Sequence, residues 1–393
     1  MTTTDSVAVL QELVRIPSPD PPGDTRAIAT YIAETLDRAN CVIQTPAPDK
    51  KPEAVNVIAT VGQGEPVIML HAHIDTVPIA ETEAGKWSVD PYEAVITDNR
   101  LYGKGSVDDK APLAAMMVAI IDAAHHFDQL QGTLVLVAAA EEEVGGQLGT
   151  RWLADAGHLP ASDFIVVGEQ THNRVATAHK GVVRATVRTT GRSAHATNPD
   201  RGINAINVMA RAVLALEKYH HDLAQRAHPI VGAPTCNVGV IQGGSTANAV
   251  PDSCVAFLDR RMLPGEDPAL VQEELSGIIT SLDIDSAQIA IGEFLVSNWF
   301  NSSVESSLAQ IFMECVRAEL NDHPGPVGYL PGSDAKHLTG LAKGEMVIFG
   351  PGSYEVAHAA DEYVDLDEFQ TTVRILTRFV RETLIMKKSH GKI

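Results

Sequence analysis

The stretch VIMLHAHIDTVP, residues 67–78, determines how the rest of the chain is interpreted. Its apolar run predicts a strand, and that strand ends in His73-Ile74-Asp75. Side chains two residues apart share one face of a strand, so we expect His73 and Asp75 to leave the strand end side by side. A carboxylate that orients an imidazole is the usual arrangement around a metal-binding histidine. The stretch therefore predicts a metal site at the end of a strand.

Two further apolar runs end in acidic residues and predict other strands of the same sheet. Gly132 to Ala140 leads directly into Glu141-Glu142-Glu143, and Phe164 to Val167 is followed by Gly168-Glu169. A helix over Thr150 to Ala156 is predicted between the two runs. Continuous apolar runs are typical of strands that are covered on both faces. Strands that alternate with helices predict an open α/β sheet, whose site lies in the crevice beyond the carboxyl ends of the strands.

A different order of elements begins after Lys180. It reads strand, helix, strand, strand, helix, strand, at residues 182–190, 203–219, 235–241, 254–262, 268–279 and 287–294. This order is the split βαβ arrangement of a ferredoxin-like domain. We expect the domain to be an insertion, because the first domain still needs a histidine ligand and His358 supplies one near the end of the chain. The predicted domains are a catalytic domain at residues 1–180 and 296–393 and an inserted domain at residues 181–295.

The composition excludes several classes of function. A chain of 393 residues with 45% hydrophobic and 20% charged residues is expected to be globular and to form two domains. Its net charge of −20 argues against nucleic acid and anionic membranes as partners. The sequence lacks an apolar run of membrane-spanning length and a secretory signal pattern, so we expect a cytoplasmic protein. The four cysteines are scattered, which predicts neither sulfur-ligated zinc nor a disulfide framework.

The remaining chemically suggestive residues offer ligands for divalent metal ions. Two closely spaced cations need carboxylates, one of them bridging, together with neutral imidazoles and an open position for water. The chain supplies His73, His358 and at least four carboxylates. An acidic run such as Glu141-Glu142-Glu143 is usually a solvated surface. Here the run follows a buried strand and precedes Gly145-Gly146, which favours a site instead.

Six motifs, in order along most of the chain, together resemble one family. They are HAHIDTVP (71–78), LYGKGSVDDK (101–110), EEEVGG (141–146), VGEQT (167–171), GRSAHATNPDRGINAI (191–206) and AHAADE (357–362). The chain resembles the di-zinc amidohydrolase family of acetylornithine deacetylase, succinyl-diaminopimelate desuccinylase, aminoacylase and carboxypeptidase G. The resemblance implies an α/β, zinc-peptidase-like catalytic domain with a central, mostly parallel sheet between helices. It also implies an inserted ferredoxin-like α+β domain that serves dimerisation and acts as a lid.

The resemblance implies a metal-binding role for five residues of these motifs. The ligands it implies are His73 and Glu169 for one zinc ion, Glu143 and His358 for the other, and Asp108 as the bridge between them. The cofactor is then two divalent ions, with Zn²⁺ expected first and Co²⁺ or Mn²⁺ as alternatives, because mixed oxygen and nitrogen ligands accept all three.

Catalytic roles follow from the same resemblance. Glu142 matches the catalytic glutamate, which takes a proton from the metal-bridging water and later passes it to the leaving amine. Asp75 matches the residue that orients His73. The register of the acidic run stays open by one residue. The sequence departs from the family pattern at Gln170, where relatives often have proline, and at Ala111, where glycine is usual.

His195, in the motif GRSAH, follows a predicted strand of the inserted domain. An ordinary surface-loop histidine is one interpretation. In the resembling family this position reaches the active site of the partner subunit and stabilises the oxyanion. The resemblance therefore implies a homodimer that forms through the inserted domain.

Residues for substrate binding are also implied by the resemblance. Asn248 and Arg261 match an asparagine and an arginine of the family, and an arginine fork suits the carboxylate of an N-acyl amino acid. Arg260 is the alternative candidate for binding this carboxylate. Gly332-Ser333 belongs to a small-residue loop that the family places near the amino-acid end of the substrate, and a simple turn is the alternative.

The function expected from these features is metal-dependent hydrolysis of the amide bond of an N-acyl amino acid. The motifs are closest in style to acetylornithine deacetylase and succinyl-diaminopimelate desuccinylase. A carboxypeptidase or dipeptidase on the same scaffold is the alternative within enzymes, with a short peptide as its substrate. A non-catalytic metal-binding or regulatory homologue is the alternative of another class.

Overall fold

The computed structural model describes residues 3–282, 284, 287–320, 322 and 324–385, and the chain divides into two compact units. The first unit consists of Met1–Thr177, Ser302–Tyr329 and Ser333–Ile393, and the second of Ala178–Asn301 and Leu330–Gly332. The second unit is therefore inserted into the chain of the first.

The chain contains helices in both units. The α-helices are α1 (Thr3–Arg15), α2 (Arg26–Asp37), α3 (Glu81–Ala84), α4 (Lys110–His125), α5 (Thr150–Asp155), α6 (Ala205–Leu223), α7 (Pro268–Thr280), α8 (Ser307–Leu320), α9 (Ala335–Leu338) and α10 (Leu366–Leu384). Short 3-10 helices lie at Phe127–Gln129, Glu142–Val144 and Pro199–Arg201.

The structure also contains strands in both units. They are β1 (Val42–Gln44), β2 (Val57–Gln63), β3 (Val67–His73), β4 (Val95–Thr97), β5 (Arg100–Tyr102), β6 (Gly132–Ala139), β7 (Ser162–Val167), β8 (Ala176–His179), β9 (Gly181–Thr190), β10 (Ala194–His195), β11 (Thr235–Gly243), β12 (Ala249–Val250), β13 (Ser253–Met262), β14 (Gln288–Ser297), β15 (Phe300–Asn301), β16 (Val327–Tyr329), β17 (Ala342–Ile348) and β18 (Tyr363–Asp365).

The large sheet of the first unit has the strand order β1-β2-β6-β3-β7-β17-β8. Strands β1, β6, β3, β7 and β17 run in one direction, while β2 and β8 run in the other. The apolar runs of β3, β6 and β7 are almost entirely buried, as expected for strands covered on both faces. Their carboxyl ends lie at one edge, where His73 pairs with Ala139 and His71 with Val167.

The core of the first unit is closed by a cluster of aromatic rings. Phe312 of α8 makes edge contacts with Phe349 and Phe379, at centroid distances of 5.1 and 5.0 Å, and lies 5.7 Å from Phe164 of β7. All four side chains are fully buried. Such edge-to-face pairs add to the stabilisation that comes from buried area. Helix α8 was not among the predicted elements, although the structure uses it to bring Phe312 into the core.

The second unit contains a four-stranded antiparallel sheet with the order β11-β13-β9-β14. One face of the sheet packs on α6 and α7, whose buried residues include Met209, Leu216 and Leu275. This arrangement confirms the predicted βαββαβ order, and with the large sheet it confirms the predicted fold class. The short pair β10 and β12 is additional, because two-residue strands carry no periodic pattern to detect.

None of the helices in the described part of the chain is both long and apolar enough to cross a membrane.

We expect Phe312→Ala to lower the free energy of unfolding by about 3–5 kcal/mol, because it removes a fully buried ring and leaves a cavity among three others. Chemical denaturation of the two proteins measures the difference. Phe127→Ala is the matched control, since 59% of the surface of Phe127 is exposed, and it should change the value by less than about 0.5 kcal/mol. Equal losses in both variants would contradict the assignment of Phe312 to the core.

Candidate metal centre

The ends of three neighbouring parallel strands present one histidine and the glutamates of this site. His73 is the last residue of β3, and Glu169 follows two residues after the end of β7. After β6 the backbone turns sharply, because Glu141 adopts a left-handed conformation (φ 69°) and the 3-10 helix Glu142–Val144 follows. Because parallel strands end at the same edge, residues far apart in sequence converge there.

Four of the predicted metal ligands form a chain of contacts at hydrogen-bond distance. His73 Nε2 lies 3.0 Å from Asp108 Oδ1, and His358 Nε2 lies 3.0 Å from Asp108 Oδ2. His358 Nε2 also lies 3.1 Å from Glu143 Oε2. Asp108 therefore contacts the two histidines through separate oxygens, which is the arrangement that a bridging carboxylate requires.

The fifth predicted ligand, Glu169, belongs to a second group that shares His73. One ligand atom each from His73, Asp109 and Glu169 lie within 4.8 Å of one another, as do atoms from His73, Asp108 and Glu143. Asp109 is fully buried, and its Oδ1 has no hydrogen-bond partner among the described residues. Buried carboxylates and imidazoles at this spacing fit divalent cations, which accept oxygen and nitrogen ligands.

Crowding of the acids changes their protonation. Burial, and then neighbouring acids such as Asp334, raise the pKa of Glu142 to about 7, against the opposing effect of Lys336. Burial and the nearby Asp108 raise the pKa of Glu143. Burial acts in the same direction on Asp108, but hydrogen bonds from His358 and His73 hold its pKa well below the usual range. The cluster therefore has more negative charge than its surroundings neutralise, which is the electrostatic condition for binding cations.

Asp75 contacts both His73 and the acidic turn. His73 Nδ1 lies 3.0 Å from the backbone oxygen of Asp75 and 3.6 Å from its carboxylate. That carboxylate instead accepts hydrogen bonds from the backbone N–H groups of Glu142 at 3.1 Å and Glu143 at 3.0 Å. The ring is thus oriented mainly by the main chain, and the Asp75 side chain holds the acidic turn in place.

Glu362 fixes the loop that carries Asp108. Its buried carboxylate accepts hydrogen bonds from Lys104 Nζ at 2.9 Å and from three backbone N–H groups, of Gly105, Val107 and Asp108, at 3.0 to 3.2 Å. Strand β18 brings Glu362 there by pairing with β5. Glu362 had no predicted role, although it lies within the motif AHAADE.

Tyr329 and Gln170 hold Glu169. The Tyr329 hydroxyl lies 2.8 Å from Glu169 Oε2 and 2.8 Å from Gln170 Oε1, and Gln170 Nε2 donates to Glu169 Oε2 at 3.2 Å. One oxygen of Glu169 is therefore contacted by two protein donors. Gln170, which stands where relatives often have proline, provides one of these donors. No sequence pattern pointed to Tyr329.

Residues of the second unit form a separate local cluster. His195 pairs with Ala249 across β10 and β12, and Asn248 accepts a backbone hydrogen bond from Ala196 at 3.0 Å. His195 and Asn248 are therefore neighbours, and both are exposed. The His195 ring lies 2.9 Å from the Thr197 hydroxyl.

The two candidate arginines of β13 face opposite sides of its sheet. Arg260 is fully buried, and its guanidinium contacts Glu266 at 2.7 and 3.2 Å and the hydroxyl of Tyr219 at 3.1 Å. Arg261 is partly exposed and donates to Asp259 at 2.7 Å. Arg260 is therefore committed to the interior of the second unit, whereas Arg261 has the accessible guanidinium.

The predicted small-residue loop contains an exposed and a buried residue. Gly332 is exposed, and a Cβ placed on it would meet nothing within 4 Å. Ser333 is fully buried, and its hydroxyl accepts a hydrogen bond from the backbone of Ala335 at 3.3 Å. The loop leads into Lys336, whose Nζ lies 3.5 Å from Glu142 Oε1. Lys336 was not predicted as a site residue.

Comparisons with known proteins agree with this geometry. The sequence model of peptidase family M20/M25/M40 matches residues 69–382. Acetylornithine deacetylase of Edwardsiella ictaluri is 32% identical over 330 residues, 83% of this chain and 82% of the relative. Acetylornithine deacetylase of Proteus mirabilis is 28% identical over 92% of this chain and 91% of its own.

Solved structures show the same fold. A tripeptidase from Staphylococcus aureus has a TM-score of 0.78 at 20% identity, covering 98% of this chain and 99% of that chain. A metallo-carboxypeptidase of the M20 family from Sulfolobus solfataricus has a TM-score of 0.77 at 19% identity, covering 96% of this chain and 98% of that chain.

We expect Tyr329→Phe to weaken divalent metal binding by about 10–100-fold, because it removes the hydroxyl that lies against Glu169 Oε2. Competition with a chromogenic zinc chelator measures the affinity. Tyr354→Phe is the matched control, since its ring packs against that of Tyr329 at 6.3 Å. An unchanged affinity in Tyr329→Phe would show that the hydroxyl does not support the ligand.

Proposed function

The chain belongs to peptidase family M20/M25/M40 and is a hydrolase of amide bonds, and we propose that it cleaves N-acyl amino acids in a metal-dependent reaction. The observation that carries this proposal is the contact of both histidines, His73 and His358, with the one carboxylate of Asp108. Glu142 lies next to this cluster, and the fully buried Glu169 completes the set of acids.

The substrate class is proposed from the relatives. Those quoted above are named acetylornithine deacetylase, and they match this chain over more than four fifths of its length. An N-acetyl amino acid is therefore the first substrate to test, and an N-succinyl amino acid the second. A carboxypeptidase or dipeptidase is the second candidate, because structures with this fold include a carboxypeptidase and a tripeptidase.

Five residues are proposed to hold two divalent cations. His73 and Glu169 would bind one, Glu143 and His358 the other, and Asp108 both. Zinc is the metal proposed, with cobalt or manganese as alternatives, because the ligand set combines imidazole nitrogen with carboxylate oxygen. When bound, the cations supply Lewis acidity to the scissile carbonyl and to the attacking water.

Glu142 is proposed as the general base and acid. Its carboxylate takes a proton from the attacking water, whose oxygen forms the new bond to the acyl carbon. Glu142 then passes that proton to the nitrogen of the leaving amine as the amide C–N bond breaks. The products are a carboxylic acid and a free amino acid. Asp75 supports this role by fixing the backbone N–H groups of Glu142 and Glu143.

A homodimer through the second unit is also proposed. Strand β11 lies at one edge of its sheet, and Val240 and Ile241 on it expose 44% and 51% of their surface. An edge strand with exposed apolar side chains is suited to pairing with a second chain. In such a dimer His195 is proposed to act in the site of the partner subunit, where it stabilises the oxyanion. Cytoplasmic location stays a prediction from the sequence.

We expect the zinc-loaded protein to release acetate from N-acetyl-L-ornithine, with succinyl, formyl and peptidyl derivatives as the comparison panel. Glu142→Gln should keep its fold and metal content but lose about 10²–10⁴-fold in kcat, because the amide cannot take the proton. Glu141→Gln is the matched control, since Glu141 contacts Lys51 and the backbone of Leu148 instead. Substantial turnover in Glu142→Gln would show that another residue is the general base. Wild-type protein with bound metal but no activity on any substrate would favour a non-catalytic homologue.

Mixing two inactive variants tests whether His195 acts across the dimer. His195→Ala and Glu142→Gln are each expected to be nearly inactive with their metal retained. After joint refolding, activity should rise to about a quarter of the wild-type value, because half of the dimers are mixed and each mixed dimer has one intact site. If mixing restores nothing while sedimentation shows dimers, His195 acts within its own chain or has no catalytic role.

A further inference from the structure

Three buried side chains, His71, Thr150 and Asp334, form a chain of hydrogen bonds beside the strand that ends in His73. His71 Nε2 lies 2.7 Å from Thr150 Oγ1, and the Thr150 hydroxyl donates to Asp334 Oδ2 at 2.5 Å. His71 belongs to β3, Thr150 is the first residue of α5, and Asp334 immediately precedes α9. The chain of bonds therefore joins three elements whose contacting residues are 79 and 184 positions apart in sequence.

The number of available hydrogens determines the direction of these bonds. A carboxylate has no hydrogen to donate, so the single hydrogen of the Thr150 hydroxyl goes to Asp334. The hydroxyl oxygen must then accept from His71, whose Nε2 carries the hydrogen. Loss of this one hydroxyl would remove both bonds and leave two buried polar groups without that partner, which is unfavourable. The contact between β3, α5 and the start of α9 therefore depends on Thr150.

The start of α9 also contacts the acidic turn, residues 142–146. His337 Nε2 donates to the backbone oxygen of Gly145 at 3.0 Å. Asp334 Oδ1 stands so close to Gly146 that a Cβ at this glycine would lie 2.5 Å from it, and the φ of +71° also favours glycine there. The short helix and the residue before it thus pack directly against the backbone of the turn that carries the proposed general base.

The acidic turn is therefore held from two sides. On one side the Asp75 carboxylate accepts hydrogen bonds from the backbone of Glu142 and Glu143, and on the other side lies the start of α9. Both supports lead back to β3, because His71 lies in this strand and Asp75 follows its end. A displacement of about 1 Å at a catalytic group can cost about 10²-fold in rate. The position of Glu142 is thus sensitive to groups that lie behind the turn.

We propose that the Thr150 hydroxyl, together with His71 and Asp334, positions Glu142 for proton transfer by holding the start of α9 against the acidic turn. These side chains are positioning residues, since they act through the turn that carries Glu142. The inference rests on the proposed function, in which Glu142 is the general base and acid.

The first test compares wild-type, Thr150→Val and Thr150→Ser zinc-loaded protein on N-acetyl-L-ornithine, or on the best substrate of the panel. Thr150→Val should lower kcat by about 10–100-fold and change KM by less than about 3-fold, because a displaced base slows proton transfer and leaves substrate binding intact. Zinc content should match the wild type. Thr150→Ser keeps the hydroxyl and should restore most of the wild-type kcat.

A double-mutant cycle tests whether Thr150 acts through Glu142. In the Glu142→Gln background, Thr150→Val should lower kcat by less than about 3-fold further, because the group that it positions is already absent. An equal fold loss in both backgrounds would overturn the proposal and make the hydroxyl a purely structural group.

Thr372→Val is the matched control. Thr372 of α10 is also fully buried, and its hydroxyl donates at 2.5 Å to a side-chain oxygen, Oδ1 of Asn173. This variant should lower the melting temperature as Thr150→Val does, because each loses a buried hydrogen bond, but it should leave kcat unchanged. If kcat falls equally in both variants, general destabilisation explains the loss and the proposal is wrong.

Hydrogen exchange tests the contact without a substrate. In Thr150→Val the backbone amides of the acidic turn and of α9 should exchange faster than in the wild type, because both segments lose a common support. In Thr372→Val these amides should exchange at the wild-type rate. Faster exchange that is confined to α5 in Thr150→Val would overturn the proposal, since the hydroxyl would then support only its own helix.

A failure of the proposed function gives a different result. If zinc-loaded wild-type protein hydrolyses no member of the panel, the proposed function fails and the positioning role fails with it. If the wild type is active and Thr150→Val keeps its kcat, the proposed function stands and only the positioning role is wrong.

Discussion

Burial of several carboxylates side by side is the constraint on which the rest of this structure depends. Five acids, Asp108, Asp109, Glu142, Glu143 and Glu169, gather at one edge of the large sheet. Burial together with neighbouring acids raises the pKa of the last four, whereas hydrogen bonds from His358 and His73 hold the pKa of Asp108 well below its usual range. Removing a charge from water without a partner is strongly unfavourable. The arrangement becomes favourable when cations share the charge. This explains why two histidines converge on Asp108 and why the buried Asp109 Oδ1 has no hydrogen-bond partner among the described residues.

Most of the hydrogen bonds around the site hold its acids in place. Glu362 fixes the loop of Asp108, the Asp75 carboxylate fixes the turn of Glu142, and Tyr329 with Gln170 fixes one oxygen of Glu169. Apart from Gln170, which is the neighbour of Glu169, these partners come from chain segments far from the acids that they hold. Closely spaced carboxylates repel one another, and side chains without hydrogen-bond partners would turn apart. The metal ligands therefore need hydrogen bonds from surrounding residues that hold them in position. The holding residues thus determine whether the acids can act together.

The elements that could be predicted from the sequence are those with a clear periodicity of hydrophobic residues or a characteristic order along the chain. The buried strands β3, β6 and β7 appear as continuous apolar runs, and the second unit follows the predicted βαββαβ order. Helix α8 was not predicted, although its residue Phe312 belongs to the core. Residues supplied by separate loops were harder to detect. Lys336 follows the predicted small-residue loop, and Glu362 is the last residue of the motif AHAADE. Neither position in the sequence indicates which acid or loop the side chain contacts in the folded protein.

The sequence by itself determined the type of fold, the acids and histidines available for a metal centre, and the strand ends from which His73 and the glutamates project. These properties are local, because they depend on side-chain type and on the two-residue period of a strand. The tertiary structure alone decided which oxygen of Asp108 meets which histidine, that Asp75 holds the acidic turn more directly than the ring of His73, and that Arg260 is buried while Arg261 is accessible. These are distances between residues remote in sequence, and they are set by how the loops pack once the sheet has formed.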